Sequence, residues 1–159
     1  MVRRPAAHQP ILSRKVPRPT GPYAQALLVS RPGDILLISG QLPHEPPHGS
    51  LFSGPVQRQA ELVFGHIKNL VLDARFSLGE IVKVSIYLTD LKHEAVVDKV
   101  YQNLFVGIPP PARLMVEVSG LRGGASIEAE AMAIRQAPPP PVPAAGPEKN
   151  EPDDEEGMY

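Results

Sequence analysis

The sequence predicts an α+β domain, and three observations carry that prediction. Val56–Ala74 and Glu94–Phe105 repeat apolar residues at helical spacing, while the segments before, between and after them read as strands. The resulting order is β-β-α-β-α-β-β, with strands in adjacent pairs, which points to one mixed sheet. Two amphipathic helices can cover only one face of such a sheet, so both are expected on the same side. The other face must be polar or meet another copy of the chain, and a symmetric oligomer is favoured. A chain of 159 residues suits a single domain with a buried core.

Residues 1–15 show no periodicity and are expected to form a disordered extension; the folded domain is expected over 16–135. Val16–Gln25, punctuated by Pro and Gly, leads into a strand at Ala26–Val29. Arg31–Asp34 reads as a turn, and Ile35–Ser39 as a short strand buried on both faces, so the two strands are expected to form a hairpin. Gln41–Ser53 is a proline-rich loop. Within it, His44, Glu45, Pro46, Pro47 and His48 spell the HExxH pattern of zinc proteases. That pattern holds a metal only on a helix, where residues four apart share a face, and the prolines exclude a helix here. No metal site is expected.

In the first helix Val56, Ala60, Val63, Phe64, Ile67, Leu70, Val71 and Ala74 form one apolar face, with His66 at its boundary. Ile81–Leu88 follows as a strand with Val82, Val84, Ile86 and Leu88 on one side and Lys83, Ser85 and Tyr87 on the other. The second helix turns Val96, Val97, Val100, Tyr101, Leu104 and Phe105 inward, Tyr101 as a core residue. Pro109, Pro110 and Pro111 are then an extended lead-in that fixes where the next strand starts. Along that strand Leu114, Val116 and Val118 alternate with Arg113, Met115 and Glu117. Gly120, Gly123 and Gly124 permit a reversal. On the return strand Ile127, Ala129, Ala131 and Ala133 alternate with Glu128, Glu130 and Met132. A hairpin of these two strands would set the Arg113 guanidinium beside the Glu128 carboxylate, enough to hold an organic acid and direct a water at it.

Composition narrows the function classes. There is no Cys among the 159 residues, hence no disulfide, thiolate nucleophile or cysteine metal site. No apolar run approaches the ~20 residues that cross a bilayer. Net charge is −1, unevenly spread: Arg3, Arg4, Arg14, Lys15, Arg18 and Arg31 all precede the first acidic residue, Asp34. Glu148, Glu151, Asp153, Asp154, Glu155 and Glu156 crowd the other end, and the Pro-rich, acidic stretch 136–159 is expected to be disordered. Without that tail the domain is only mildly basic, which disfavours nucleic acid as a partner. The basic start resembles a transit segment in composition, but its prolines and missing amphipathic stripe favour a plain end, and the cytoplasm is the expected compartment.

Four segments together carry a family resemblance: GPYAQA at Gly21–Ala26, ISGQLP at Ile38–Pro43, IVKVSIYLTDL at Ile81–Leu91, and PARLMVEVSGL with IEAEAMA between Pro111 and Ala133. In this order and spacing they resemble the RidA/YjgF/YER057c/UK114 family of reactive-intermediate deaminases, over about three-quarters of the chain. The resemblance implies a chorismate-mutase-like fold and a homotrimer whose sheets form a central barrel, with clefts between neighbouring subunits. It implies that Arg113 holds the carboxylate of a 2-imino or 2-enamino acid and that Glu128 serves the attacking water. It further implies that Tyr23, Ser39, Gly40, Gln41 and Met115 line the cleft, and that no cofactor is needed. Two positions depart from the common pattern: Met115 replaces a Cys found in several relatives, and Asp98 stands where many have Asn. The activity implied is hydrolysis of 2-iminopropanoate and 2-iminobutanoate to 2-oxo acids and ammonia, which clears these species before they damage other enzymes.

These residue types fit that chemistry. Arginine grips a carboxylate with two parallel hydrogen bonds, which lysine cannot copy. Water is a competent nucleophile for a protonated imine, so neither a covalent residue nor a metal is required. Two other readings of the same fold are a non-catalytic trimer that binds small carboxylates or regulates partners, and a ribonuclease or translation inhibitor. The last lacks a basic, aromatic surface pattern in the sequence.

Overall fold

In the computed structural model, residues 8–30, 32–47 and 49–137 are described. The chain runs β1 (Gln9–Ile11), β2 (Ala26–Leu28), β3 (Pro32–Gln41), β4 (His44–Glu45), β5 (Ser50–Leu51), α1 (Val56–Asp73), β6 (Ile81–Leu88), α2 (Glu94–Leu104), β7 (Ala112–Glu117) and β8 (Ile127–Gln136). The main sheet has the spatial order β3-β8-β6-β7. Only β6 and β7 run parallel; β8 is antiparallel to both of its neighbours. Both helices pack on one face, as the helix count required.

The core lies between that face and the helices. Ile38, Val84, Ile86, Leu88, Ile127, Ala129, Ala131 and Ala133 of the sheet meet Ala60, Val63, Phe64, Ile67, Val71, Val97, Tyr101 and Phe105. The small alanines of β8 let α1 approach closely, and large helix residues fill the space. A bulge between Ile81 and Lys83 turns Ile81, rather than Val82, into the core row. Buried Gln59 ties α1 to the start of β8: its Oε1 accepts from Ser126 N at 2.8 Å and its Nε2 donates to the Gly54 carbonyl at 2.8 Å. Helix α1 ends in a Schellman arrangement. Arg75 N–H donates to Leu72 O and Phe76 N–H to Val71 O, both at 2.9 Å, with Arg75 at φ 61°.

Three sequence expectations are corrected. The Ala26–Val29 and Ile35–Ser39 segments do not form a hairpin. β3 already begins at Pro32, through residues expected to turn, and pairs with β8, while β2 pairs with β1. The extension expected to be disordered over 1–15 therefore contributes a strand from residue 9, held by Gln25, whose Oε1 accepts from Ser13 N at 2.7 Å. Thirdly, β7 and β8 are not hairpin partners. β6 inserts between them, because its two-sided apolar row is the most buried strand and belongs at the centre of the sheet. The expected Gln41–Ser53 loop carries a two-residue ribbon, β4–β5, with His44 Nδ1 2.7 Å from the Gly49 carbonyl oxygen. His48 and the tail from residue 138 onward lie outside the described residues.

Candidate active site

The proline lead-in delivers Arg113 to the second position of β7, opposite Val84 of β6. Since Val84 is a core residue, Arg113 points to the helix-covered face, at the open edge of the sheet. Only 4% of its side chain is exposed. Its Nη1 donates to Asp98 Oδ1 from α2 in a close ion pair. The guanidinium carbon lies 5.1 Å from the Tyr101 ring centroid and 5.5 Å from that of Tyr23. Among the described residues Arg113 makes no other side-chain hydrogen bond, so the Nε–Nη2 edge of the fork is unpaired there, though covered by the Gly21–Tyr23 segment.

Tyr23 reaches this place on the GPY segment, fastened by the Ala24 N–H to the Pro111 carbonyl at 3.2 Å. Gly21 allows the close approach: a Cβ there would stand 3.3 Å from Arg113 Nη2 and 3.1 Å from the Tyr23 ring. Hydrogen bonds from Thr20 lower the Tyr23 phenol below its usual range, and the nearby Arg113 charge acts in the same direction. Tyr101 moves the other way: burial pushes its phenol well up, and its hydroxyl has no hydrogen-bond partner among the described residues. Met115 lies two residues beyond Arg113, opposite Ile86 and packed against the core.

A second group forms elsewhere. Between Ile38↔Ala131 and Gln41↔Ala129 the pairing of β3 with β8 slips, so Ser39 and Gly40 together oppose Glu130. Glu128 extends across Gly40, where any Cβ would overlap its carboxylate. Glu128 makes no hydrogen bond among the described residues, whereas Glu130 accepts from Tyr87 Oη at 3.3 Å. Gln41 Nε2 donates to the Ser39 carbonyl at 3.0 Å. Flanked by the core residues Ile127 and Ala129, Glu128 faces the side of the sheet that carries no helix.

The predicted site residues thus fall into two clusters. Arg113 and Tyr23 come together at the β7 edge on the helix side, with Met115 two residues along. Gly40 and Glu128 come together at the β3–β8 bulge on the open side, beside Ser39, while Gln41 pairs with the core residue Ala129 and so takes the other face. One chain does not bring Arg113 and Glu128 together, because β6 and the thickness of the sheet intervene. The expected hairpin juxtaposition is corrected accordingly. Sequence reasoning also missed what Asp98 and Tyr101 do to Arg113. The available signal was an acidic residue one position after Val97 and three before Tyr101, beside the buried stripe of α2.

Comparison with known proteins follows the same outline. The family described as Endoribonuclease L-PSP matches residues 13–135. The chain belongs to the RidA/YjgF/RutC family. A RutC family protein of Pyrococcus abyssi is 38% identical over 130 residues, covering 82% of this chain and 99% of the relative. RidA from a Psychrobacter species shares 37% identity with a TM-score of 0.61, covering 80% of this chain and 99% of that one. E. coli TdcF, solved with bound serine, shares 32% identity with a TM-score of 0.62 over the same proportions. Membership of the RidA/YjgF/RutC family ties this chain to deaminase-type chemistry at the level of the family.

Proposed function

We propose that this protein hydrolyses reactive 2-imino and 2-enamino acids, 2-iminopropanoate and 2-iminobutanoate among them, to 2-oxo acids and ammonia. The observation that carries this is Arg113: a fixed, nearly buried guanidinium with one edge of its fork unpaired among the described residues. The substrate carboxylate takes that edge, which places the C=N carbon at a defined distance from the anchor. Water, oriented by Glu128, adds to the protonated imine carbon and gives that carboxylate a proton. The proton passes to the carbinolamine nitrogen, and the C–N bond breaks as the hydroxyl oxygen becomes the 2-oxo carbonyl, releasing ammonia as ammonium. Such general-base assistance contributes typically ~10²–10⁴-fold.

Because Arg113 and Glu128 face opposite sides of one sheet, the complete site forms between two copies. The β7 edge of one copy meets the open face near β3 of the next, and a closed head-to-tail ring, read as a trimer, satisfies every copy. The apolar open face supports this assembly: Leu37 is 69% exposed, and Ile35 and Leu114 are also exposed.

One observation favours a second reading, a carboxylate-binding protein without turnover: Asp98 already occupies part of Arg113. The ribonuclease reading fares worse, since the guanidinium sits among an acidic and two aromatic side chains rather than in a basic surface. The deciding experiment follows ammonia release from 2-iminobutanoate generated in situ by a dehydratase. Wild type is expected to accelerate it, and Arg113→Ala to lose on the order of 30- to 1000-fold in kcat/KM. Arg113→Lys, which keeps the charge beside Asp98 but not the fork, should lose most of that as well. Wild type no faster than buffer, while still binding 2-oxo acids, establishes the second reading.

A further inference from the structure

Asp98 is the charged group nearest to the proposed substrate anchor, and the hydrolysis as described gives it no task. It projects from α2, its side chain 20% exposed, and it pairs with Arg113 through Nη1. The two charges cancel, so the pocket presents an ion pair rather than a free cation. With 4% of its side chain exposed, Arg113 takes an incoming carboxylate only by loosening its present neighbours, Asp98 at Nη1 or the Gly21–Tyr23 segment near Nη2. A simple anion that does so sets two carboxylates on one guanidinium and leaves the Asp98 charge partly uncompensated, which a partly buried setting penalises. A ligand that carries its own positive nitrogen next to its carboxylate supplies the missing partner.

We propose that Asp98 is a specificity-determining residue, and that with Arg113 it selects zwitterionic acids, whose carboxylate goes to Arg113 and whose cationic nitrogen goes to Asp98, over bare carboxylates. This rests on the Arg113 reading given above and deepens it: the preferred substrate is the iminium form of a 2-imino acid, and the 2-oxo acid product, having lost its nitrogen, is the disfavoured occupant. Product release is thereby built into the charge arrangement. The Tyr23 and Tyr101 rings on the guanidinium limit its reorientation, so the two ends of the ligand are sorted by position as well as by charge.

The test compares L-alanine with L-lactate, which have nearly the same shape and differ in ammonium against hydroxyl. Binding is measured by calorimetric or NMR titration on wild type and Asp98→Asn, so the readout does not depend on turnover. Asparagine keeps an oxygen that can accept from Arg113 Nη1 but removes the charge. Wild type is expected to bind alanine ~10-fold or more tighter than lactate. Asp98→Asn is expected to bring the ratio close to one, with lactate binding tightened and alanine binding weakened. Equal affinity of wild type for both ligands overturns the proposal, as does a variant that shifts both by the same factor, or no binding of either. The wild-type ratio stands even if the variant folds poorly. Loss of imine turnover with the ratio intact sinks the deaminase reading and leaves the selectivity in place.

Discussion

At the scale of single residues, the local economy of Arg113 depends on what surrounds its charge. Tyr101 packs a fully buried ring against the guanidinium, Phe64 and Phe105, but its hydroxyl has no hydrogen-bond partner among the described residues. An unsatisfied buried hydroxyl costs about 1–3 kcal/mol, so Tyr101→Phe should keep the ring contacts and raise stability by about 1 kcal/mol in urea unfolding. The same substitution has a pH signature. The folded phenol titrates above the ordinary tyrosine value of 10.0, so unfolded chains release that proton first as pH rises through 10. This group's contribution is fully present below that value and is lost above it. Wild-type stability should therefore fall more steeply than that of Tyr101→Phe in alkaline melts; parallel curves would count against a buried neutral phenol. Arg113 and Glu128 stand out as candidate site residues in the sequence only through their motifs. Nothing in their local spacing revealed that they face opposite sides of the sheet, since that depends on which strand inserts between them.

Among the elements, the helices were the most readable part. Their 3.6-residue periodicity is a local property, and the expected bounds of α1 and α2 differ from the observed ones by a single residue. Strand partners were less so. β7 and β8 are joined by a glycine-rich turn that looks like a hairpin, yet β6 separates them, because pairing is decided by competition for burial across the whole sheet. The end of α1 carries no glycine to mark it. Its left-handed residue is Arg75, where glycine would ordinarily announce the stop. A non-glycine residue there carries a steric penalty of roughly 1–2 kcal/mol, partly offset by the greater freedom of glycine in the unfolded chain. Arg75→Gly should thus stabilise the protein by about 0.5–1 kcal/mol. The backbone carbonyl that accepts from Arg135 Nη2 at 2.6 Å is kept in that variant. An unchanged or lowered thermal midpoint would argue against the Schellman geometry.

For the molecule as a whole, the two clusters and the exposed apolar sheet face make the same demand. No helix among the described residues is long and apolar enough to cross a membrane. The proposed association of copies would cover that face, and light scattering is then expected to give a mass near three times 17.2 kDa. Leu37→Glu places a charge on the β3 side of that face and forfeits about 1.5–3 kcal/mol of apolar burial per copy in the proposed assembly. The expected result is a smaller species with unchanged helical circular dichroism and no imine turnover, both losses following one dilution curve. A Leu37→Glu monomer that retained full activity would place the whole site within one chain.

The contact between Arg113 and Asp98 has one more consequence. Phosphate, chloride and sulfate surround any protein in millimolar amounts, and an arginine without a companion in an anchoring site would spend much of its time holding them. Here the chain carries its own counterion, held on the neighbouring helix. On the selectivity proposed above, the resting protein is expected to bind the common anions of its surroundings weakly and to respond to the rarer molecule that brings both signs of charge at once.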